Sequence, residues 1–371
     1  MSASDPTPNP AVASPAIPSP APPTPGRASV VVPARDAAAS VGQTVRALLA
    51  QDPPPLEVIV VDDGSRDGTG EVARAAGAGQ VLRAEGQGPA RARNLGLQAA
   101  RGELIVFTDA DCTPRPGFLR ALLAPLADPA VAGVKGAYES EQRGLTPRFV
   151  QVEYEERYRR MARRASIDFI DTYAAAYRRA ALLEAGGFDE RYPFPSTEDQ
   201  ELSFRLVERG ARLVFAPEAR VAHLHAATLA AYARKKARIG YWKVATLRRH
   251  PGKAVDDAHT PGTLKLQLLL APAALGGIAI AAGGAAAGWP LRALPAGALP
   301  ALLFLLTTLP LTLAALRRDP PVGLLTPAFC LVRALALGWG VLRGLLAEAR
   351  GGVLAPAAGH GAGLPEVRGS P

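Results

Sequence analysis

Two stretches near the C-terminal end of the chain carry no charged residue: Leu268 to Gly288 and Leu294 to Leu316. Each is long enough to cross a hydrocarbon core of about 30 Å as a helix. A third stretch, Val322 to Leu346, is apolar but holds Arg333 and Arg343. It reads either as a third span or as an amphipathic helix lying in the interface. Buried helices of a soluble domain are the alternative, and two successive charge-free runs of this length weigh against it. The chain therefore divides into a polar part, 28–250, and two or three membrane helices within 264–346. Arg317 and Arg318 fall between the second and third segments. Basic loops favour the cytoplasmic side, so the reading is a multi-pass protein of the cell membrane with its polar domain in the cytoplasm.

Residues 1–27 are rich in Pro, Ala, Ser and Thr. They lack the basic start and continuous apolar core of a signal peptide, and read as a disordered, extended tail. Residues 351–371 read as a flexible tail.

The polar part opens with alternating apolar runs and helical patterns. Ser29–Val32, Leu56–Val61, Gln80–Arg83 and Leu104–Phe107 read as strands. Helices are expected over Ser40–Gln51, after Thr69 and over Pro89–Ala100. This alternation predicts an α/β fold with a mostly parallel sheet and right-handed crossovers. Ligands of open α/β sheets bind beyond the carboxyl ends of the strands. Polar groups stand at those ends, and the most telling are Asp109 and Asp111 after Leu104–Phe107. Two carboxylates one residue apart can share a hard divalent cation with a substrate phosphate, Asp-x-Asp alone being a weak motif.

Further along, Pro116–Leu126, Gln151–Arg164 and Arg178–Ala185 read as helices, and Val131–Tyr138 as a strand. Asp168–Tyr177 reads as a strand or irregular segment, and Ala211–Pro217 and Ala219–His223 carry strand character. Gly186-Gly187-Phe188-Asp189 is a sharp turn. Ser196 or Thr197 is expected to cap a helix through Arg209, with Glu198 and Asp199 in its first turn, where the helix dipole favours carboxylates. A basic helix starts near Thr228, and its Arg234-Lys235-Lys236 and Arg238 suit diphosphate or anionic lipid headgroups as well as a solvated face.

The formal net charge of +9 over 371 residues suits anionic phosphates or an anionic membrane surface. No nucleic-acid-binding motif occurs. Two cysteines, Cys112 and Cys330, give no disulfide framework. Gly86-Gln87-Gly88 lacks the third glycine and the position of a dinucleotide loop, and no Walker A lysine loop is present.

Five motifs in order resemble those of family 2 glycosyltransferases over residues 28–245. They are Val30-Val31-Val32-Pro33-Ala34-Arg35; Asp62-Asp63-Gly64-Ser65-Arg66-Asp67-Gly68-Thr69; Gly88-Pro89-Ala90-Arg91-Ala92-Arg93-Asn94-Leu95-Gly96 leading to the Asp-x-Asp strand; Gly186-Gly187-Phe188-Asp189-Glu190; and Glu198-Asp199-Gln200-Glu201-Leu202-Ser203-Phe204-Arg205. The resemblance implies a GT-A nucleotide-diphospho-sugar transferase fold followed by membrane helices, a nucleotide-diphosphate sugar donor, a divalent metal (Mn2+ or Mg2+) and inversion at the anomeric carbon. It implies that Pro33, Ala34, Arg35, Asp62 and Asp63 line the nucleobase and ribose, and that Arg91 or Arg93 stands near the phosphates. Asp109 would face ribose and metal, Asp111 would ligate the metal, and Asp199 would be the general base. Gly187, Phe188 and Glu198 would lie at the acceptor and sugar. His223 is expected as the third metal ligand, with His225 as the rival, since on a strand the two share a face.

Sugar transfer by direct displacement needs a stabilised leaving diphosphate and one base for the acceptor hydroxyl. Membrane attachment points to a lipid-linked or cell-envelope acceptor. The Gln-x-x-Arg-Trp motif of processive synthases is absent, which favours single addition. Thr172–Tyr177 is alanine-rich where many relatives carry an asparagine. The rival enzyme reading, a sugar-phosphate nucleotidyltransferase, lacks its glycine-rich loop after Val32. A non-catalytic membrane sugar-binding protein is the other rival, and Asp109, Asp111 and Asp199 together speak against it.

Overall fold

The computed structural model describes residues 24–254, 260–286 and 290–351. The stretches 1–23 and 352–371, which hold most of both expected tails, lie outside the described residues. The first strand begins at Thr24, inside the stretch read as tail, because Thr24 pairs with Gly102.

Eight strands form one sheet: β1 (Thr24–Ala34), β2 (Glu57–Asp63), β3 (Gln80–Ala84), β4 (Gly102–Phe107), β5 (Thr113–Pro114), β6 (Val131–Glu139), β7 (Ala175–Arg178) and β8 (Arg212–Ala222). Their order is β3-β2-β1-β4-β7-β6-β8-β5. The β3-β2-β1-β4 half is wholly parallel. β7 then runs antiparallel between β4 and β6, while β6 and β8 pair in parallel. The strands of the parallel half are Val- and Ile-rich because helices cover both faces. One face packs Val30, Val32, Val58, Val60 and Val106 against α1 (Val41–Leu49) and its neighbours. The other packs Val31, Ile59, Val61 and Ile105 against α3 (Pro89–Ala99).

The two segments read as separate strands over 211–223 are one strand, β8, whose register shifts against β6 around Pro217. Proline cannot donate to a ladder, so the strand bulges there instead of ending. The remaining polar helices are α2 (Thr69–Ala75), α4 (Phe118–Leu123), α5 (Leu145–Met161), α6 (Arg179–Glu184), α7 (Glu198–Glu208) and α8 (Leu229–Arg249).

Three long helices follow, α9 (Gly262–Ala286), α10 (Pro290–Arg318) and α11 (Pro320–Ala349), each long and apolar enough to cross a membrane. A buried ionic knot ties them to the polar part. Arg333 of α11 donates to Glu153 of α5 and to Gln267 of α9 at 2.7 Å. Glu153 also accepts from Tyr232 of α8 at 2.7 Å and lies 3.3 Å from Lys236. Burial alone would raise the pKa of Glu153, but Lys236 and Arg333 bring it down to about 2. The loop between α10 and α11 sits on α5, through Arg318 with Glu155 and Asp319 with Arg148 at 2.7 Å.

Candidate functional site

The carboxyl ends of β1, β2 and β4 converge on the polar groups read from sequence. Asp63 turns inward, where its carboxylate accepts from the Gln87 and Gly88 amides at 3.0 and 2.9 Å. That contact folds the Gly86-Gln87-Gly88 loop over the strand ends. Asp62 accepts from the Ser65 amide at 2.8 Å and pairs with Arg83 at 3.2 Å. Pro33 and Ala34 close β1, and the exposed Arg35 donates to the Gly86 carbonyl at 3.4 Å.

Two arginines two residues apart on α3, about half a turn, part company. Arg91 faces solvent and pairs with Glu190 at 2.9 Å. Arg93 is buried and clamps two carboxylates, Glu198 at 2.9 Å and Asp109 at 3.3 Å, over the Phe188 ring. Arg93 is therefore the arginine at the centre of the site. Glu198 faces inward to this clamp and accepts from the Ser196 amide at 2.8 Å, so its carboxylate is already engaged. The expected side-chain cap on α7 is not made: Ser196 Oγ donates to the Phe194 carbonyl, and Thr197 Oγ1 meets Thr246 at 2.8 Å. The Glu198 carboxylate closes the turn in place of the hydroxyls.

The glycine turn is held by Asn94, which donates to the Phe188 carbonyl and accepts from the Phe188 amide at 2.9 and 2.8 Å. Gly187 has φ +70, and a Cβ there would lie 2.6 Å from Asn94 Oδ1, so glycine is required. Phe188 packs edge-on against Phe107 at the end of β4, with centroids 5.2 Å apart. The turn thus docks α7 against the Asp-x-Asp strand.

Asp199 is partly buried and accepts from the Gln200 amide at 2.8 Å. Burial, and then the neighbouring Glu198 charge, push its pKa up to about 7, against the pull of Arg93 and Lys135. A carboxyl that titrates near neutrality suits general-base work. Lys135, fully buried on β6, pairs with Asp171, and burial holds its pKa well below the ordinary lysine value. It is a charged residue in an otherwise apolar strand run, a signal the sequence reading passed over.

The candidate metal ligands gather past the end of β4. Asp111, Cys112 and His223 place their ligand atoms within 4.8 Å of one another, with His223 Nδ1 3.6 Å from Asp111. Burial opposes ionisation of Asp111, but the His223 contact keeps its pKa below the ordinary value. Asp109 stands outside this cluster, held by Arg93. β8 ends at Ala222, so His223 and His225 do not share a strand face. His225 is buried and turns to Gln151 Oε1 at 2.9 Å. Burial, and then His223, bring its pKa down to about 3. Carboxylate and imidazole together suit a borderline divalent ion such as manganese. Cys112 brings a thiol to the same cluster; burial keeps it protonated, and both cysteines are free.

A cavity of about 500 Å³ opens beside Asp199. Its polar wall carries Gln200, Lys236 and Lys243, and its far wall carries Leu264, Leu268, Leu311 and Leu337 from the three apolar helices. It joins the carboxylate to the three apolar helices.

A family model described as glycosyltransferase-like family 2 matches residues 25–241. The pre-mycofactocin glycosyltransferase of Mycobacterium tuberculosis is 33% identical over 251 residues, 65% of this chain and 52% of that protein. The succinoglycan biosynthesis protein ExoU of Rhizobium meliloti is 33% identical over 202 residues, 49% of this chain and 57% of that one. The chain thus spans about half the length of these curated relatives. Among solved structures, the mannosyltransferase PcManGT from Pyrobaculum calidifontis, in complex with GDP-Man and Mn2+, superposes with a TM-score of 0.53 at 22% identity, covering 86% of this chain and 90% of that chain. The likeness shows the shared GT-A fold. With five sequence motifs brought together at one end of this sheet, and the family model matched over more than half its length, the chain belongs to glycosyltransferase family 2.

Proposed function

We propose that this chain is a membrane-bound inverting glycosyltransferase that moves a sugar from a nucleotide-diphosphate donor to a hydroxyl on a lipid-linked acceptor. The observation that carries this reading is the cavity that leads from Asp199 to the apolar helices, with cations on its polar wall. An acceptor with an anionic head and an apolar tail fits that lining. The PcManGT complex with GDP-Man and Mn2+ supports a nucleotide-sugar donor and a divalent ion.

The donor base and ribose lie against Pro33, Ala34, Arg35, Asp62 and Asp63, with Asp109 toward the ribose. Asp111 and His223 would hold a divalent ion, which would supply positive charge for the leaving diphosphate. Arg93 fixes Asp109 and shields it from Glu198 and Asp199. Asp199 takes the proton from the acceptor hydroxyl. The acceptor oxygen bonds to the anomeric carbon as the carbon–diphosphate bond breaks on the opposite face. The products are the inverted glycoside and a nucleoside diphosphate, with the proton left on Asp199. Gly187 and Phe188 position α7 and hence the base.

The test is to incubate full-length protein in membrane vesicles with Mn2+ and a panel of radiolabelled nucleotide sugars. One donor should deliver label to a solvent-extractable lipid product. Label released only as free sugar, or recovered only in water-soluble product, would overturn the lipid acceptor.

A further inference from the structure

Arg234, Arg238 and Tyr241 lie along α8 on a different face from Lys235, Lys236 and Lys243, which turn toward the Asp199 cavity. They face α11, and the two helices touch at the backbone. A Cβ on Gly340 would lie 2.0 Å from the Ala237 carbonyl oxygen, and one on Gly240 would lie 2.3 Å from that of Leu337. Beside this contact runs a groove of about 570 Å³, lined by Arg234, Arg238, Tyr241, Trp339 and Arg343 among others, and by no acidic residue.

Charge sets the groove apart. Arg248 on α8, Arg333 on α11, Arg148 on α5 and Arg318 at the end of α10 all pair with carboxylates. Arg234, Arg238 and Arg343 have no acidic partner among the described residues. Three guanidiniums around one groove repel one another until an anion joins them, and their summed positive charge favours an anionic phosphate there. Next to them, Trp339 is 58% exposed, and Leu342, Leu345 and Leu346 on α11 are exposed as well. Tryptophan beside arginine is the composition of a membrane–water boundary.

The path of α11 gives the same placement. Its 30 residues make a rod of about 45 Å. Asp319 before its first turn pairs with Arg148 of α5, Arg333 at its middle with Glu153 of α5, and Glu348 at its end with Arg248 of α8. A helix bound along its length to two charged helices cannot cross hydrocarbon without drawing their charges in with it. Lying flat, it keeps the charges wet and offers its leucines to the acyl region.

We propose that α8 and α11 form a ledge lying in the membrane surface, and that the Arg234–Arg238–Arg343 groove binds the headgroup of an anionic phospholipid. The site is separate from the acceptor cavity and independent of the transfer reaction.

Native mass spectrometry of the full-length protein in detergent, with equal amounts of phosphatidylglycerol and phosphatidylcholine, tests this. Wild type should retain phosphatidylglycerol in preference. The triple variant Arg234→Gln, Arg238→Gln, Arg343→Gln should retain about tenfold less or lower, since each surface cation adds to anionic-lipid affinity. The corresponding triple lysine variant keeps the charge and should keep most of the preference. Equal retention of both lipids by wild type, or undiminished phosphatidylglycerol on the glutamine variant, would overturn the proposal. Loss from the lysine variant to the level of the glutamine variant would also overturn the charge-based site.

Discussion

Replacing Arg93 with glutamine removes the one cation that touches both Asp109 and Glu198. Its contacts, 3.3 Å to Asp109 and 2.9 Å to Glu198, come from a side chain only 5% exposed. Asp199 belongs to the same field, since its charge also acts on Arg93. The variant leaves three neighbouring carboxylates without the one cation they share. Breaking a buried ion pair from one side costs about 3–5 kcal/mol. In a domain of this size each kcal/mol moves the midpoint by about 2–4 °C, so Arg93→Gln should lower it by roughly 6–20 °C. Thermal unfolding of the full-length protein in detergent, followed by circular dichroism, reads this directly. The double variant Arg93→Gln, Glu198→Gln removes one stranded charge and should recover about half of the loss or more. A midpoint for Arg93→Gln within about 2 °C of wild type would refute the clamp. So would a double variant no more stable than the single one.

Three other outcomes follow from the site and the membrane ledge. A base with a pKa of about 7 works only when deprotonated, so the transfer rate should climb as pH rises through 7 and level off above it. At pH 6 it should be about a tenth of the plateau, and a rate flat from pH 5 to 8 would contradict the elevated pKa. His223→Ala should weaken manganese binding in calorimetry with donor diphosphate present, while His225→Ala should leave it near wild type; the reverse order would reassign the ligand. A cysteine placed at Arg350 should react with an impermeant maleimide from the same side of sealed vesicles as one placed at Arg74 in the polar domain, and labelling from opposite sides would make α11 a true span.

β1, β2 and β4 of the parallel half are legible because each holds a short apolar run closed by Pro33, Asp62 or Asp109, with helical spacing between. β5 was not, because two residues carry no period and Thr113–Pro114 pairs only through the distant β8. Asp199 stands out in the sequence as a carboxylate at a helix start beside a glycine turn, and it does lie in the first turn of α7. Arg91 and Arg93 could not be separated, because the choice depends on which one α3 turns toward Glu198 across more than a hundred residues of sequence. His223 and His225 were treated as strand neighbours, yet β8 ends before both, and the chain is free to send them apart. The length and apolarity of α11 suggest a span as readily as a surface helix, and its ion pairs to α5 and α8 are what support the proposed surface placement.

The central claim is that Asp199 carries the proton of sugar transfer. It is tested most directly by measuring donor binding and transfer rate side by side in Asp199→Asn. The account predicts donor affinity near wild type and a rate lower by about 100-fold or more. Transfer within a few-fold of wild type, with the donor bound equally well, would contradict it.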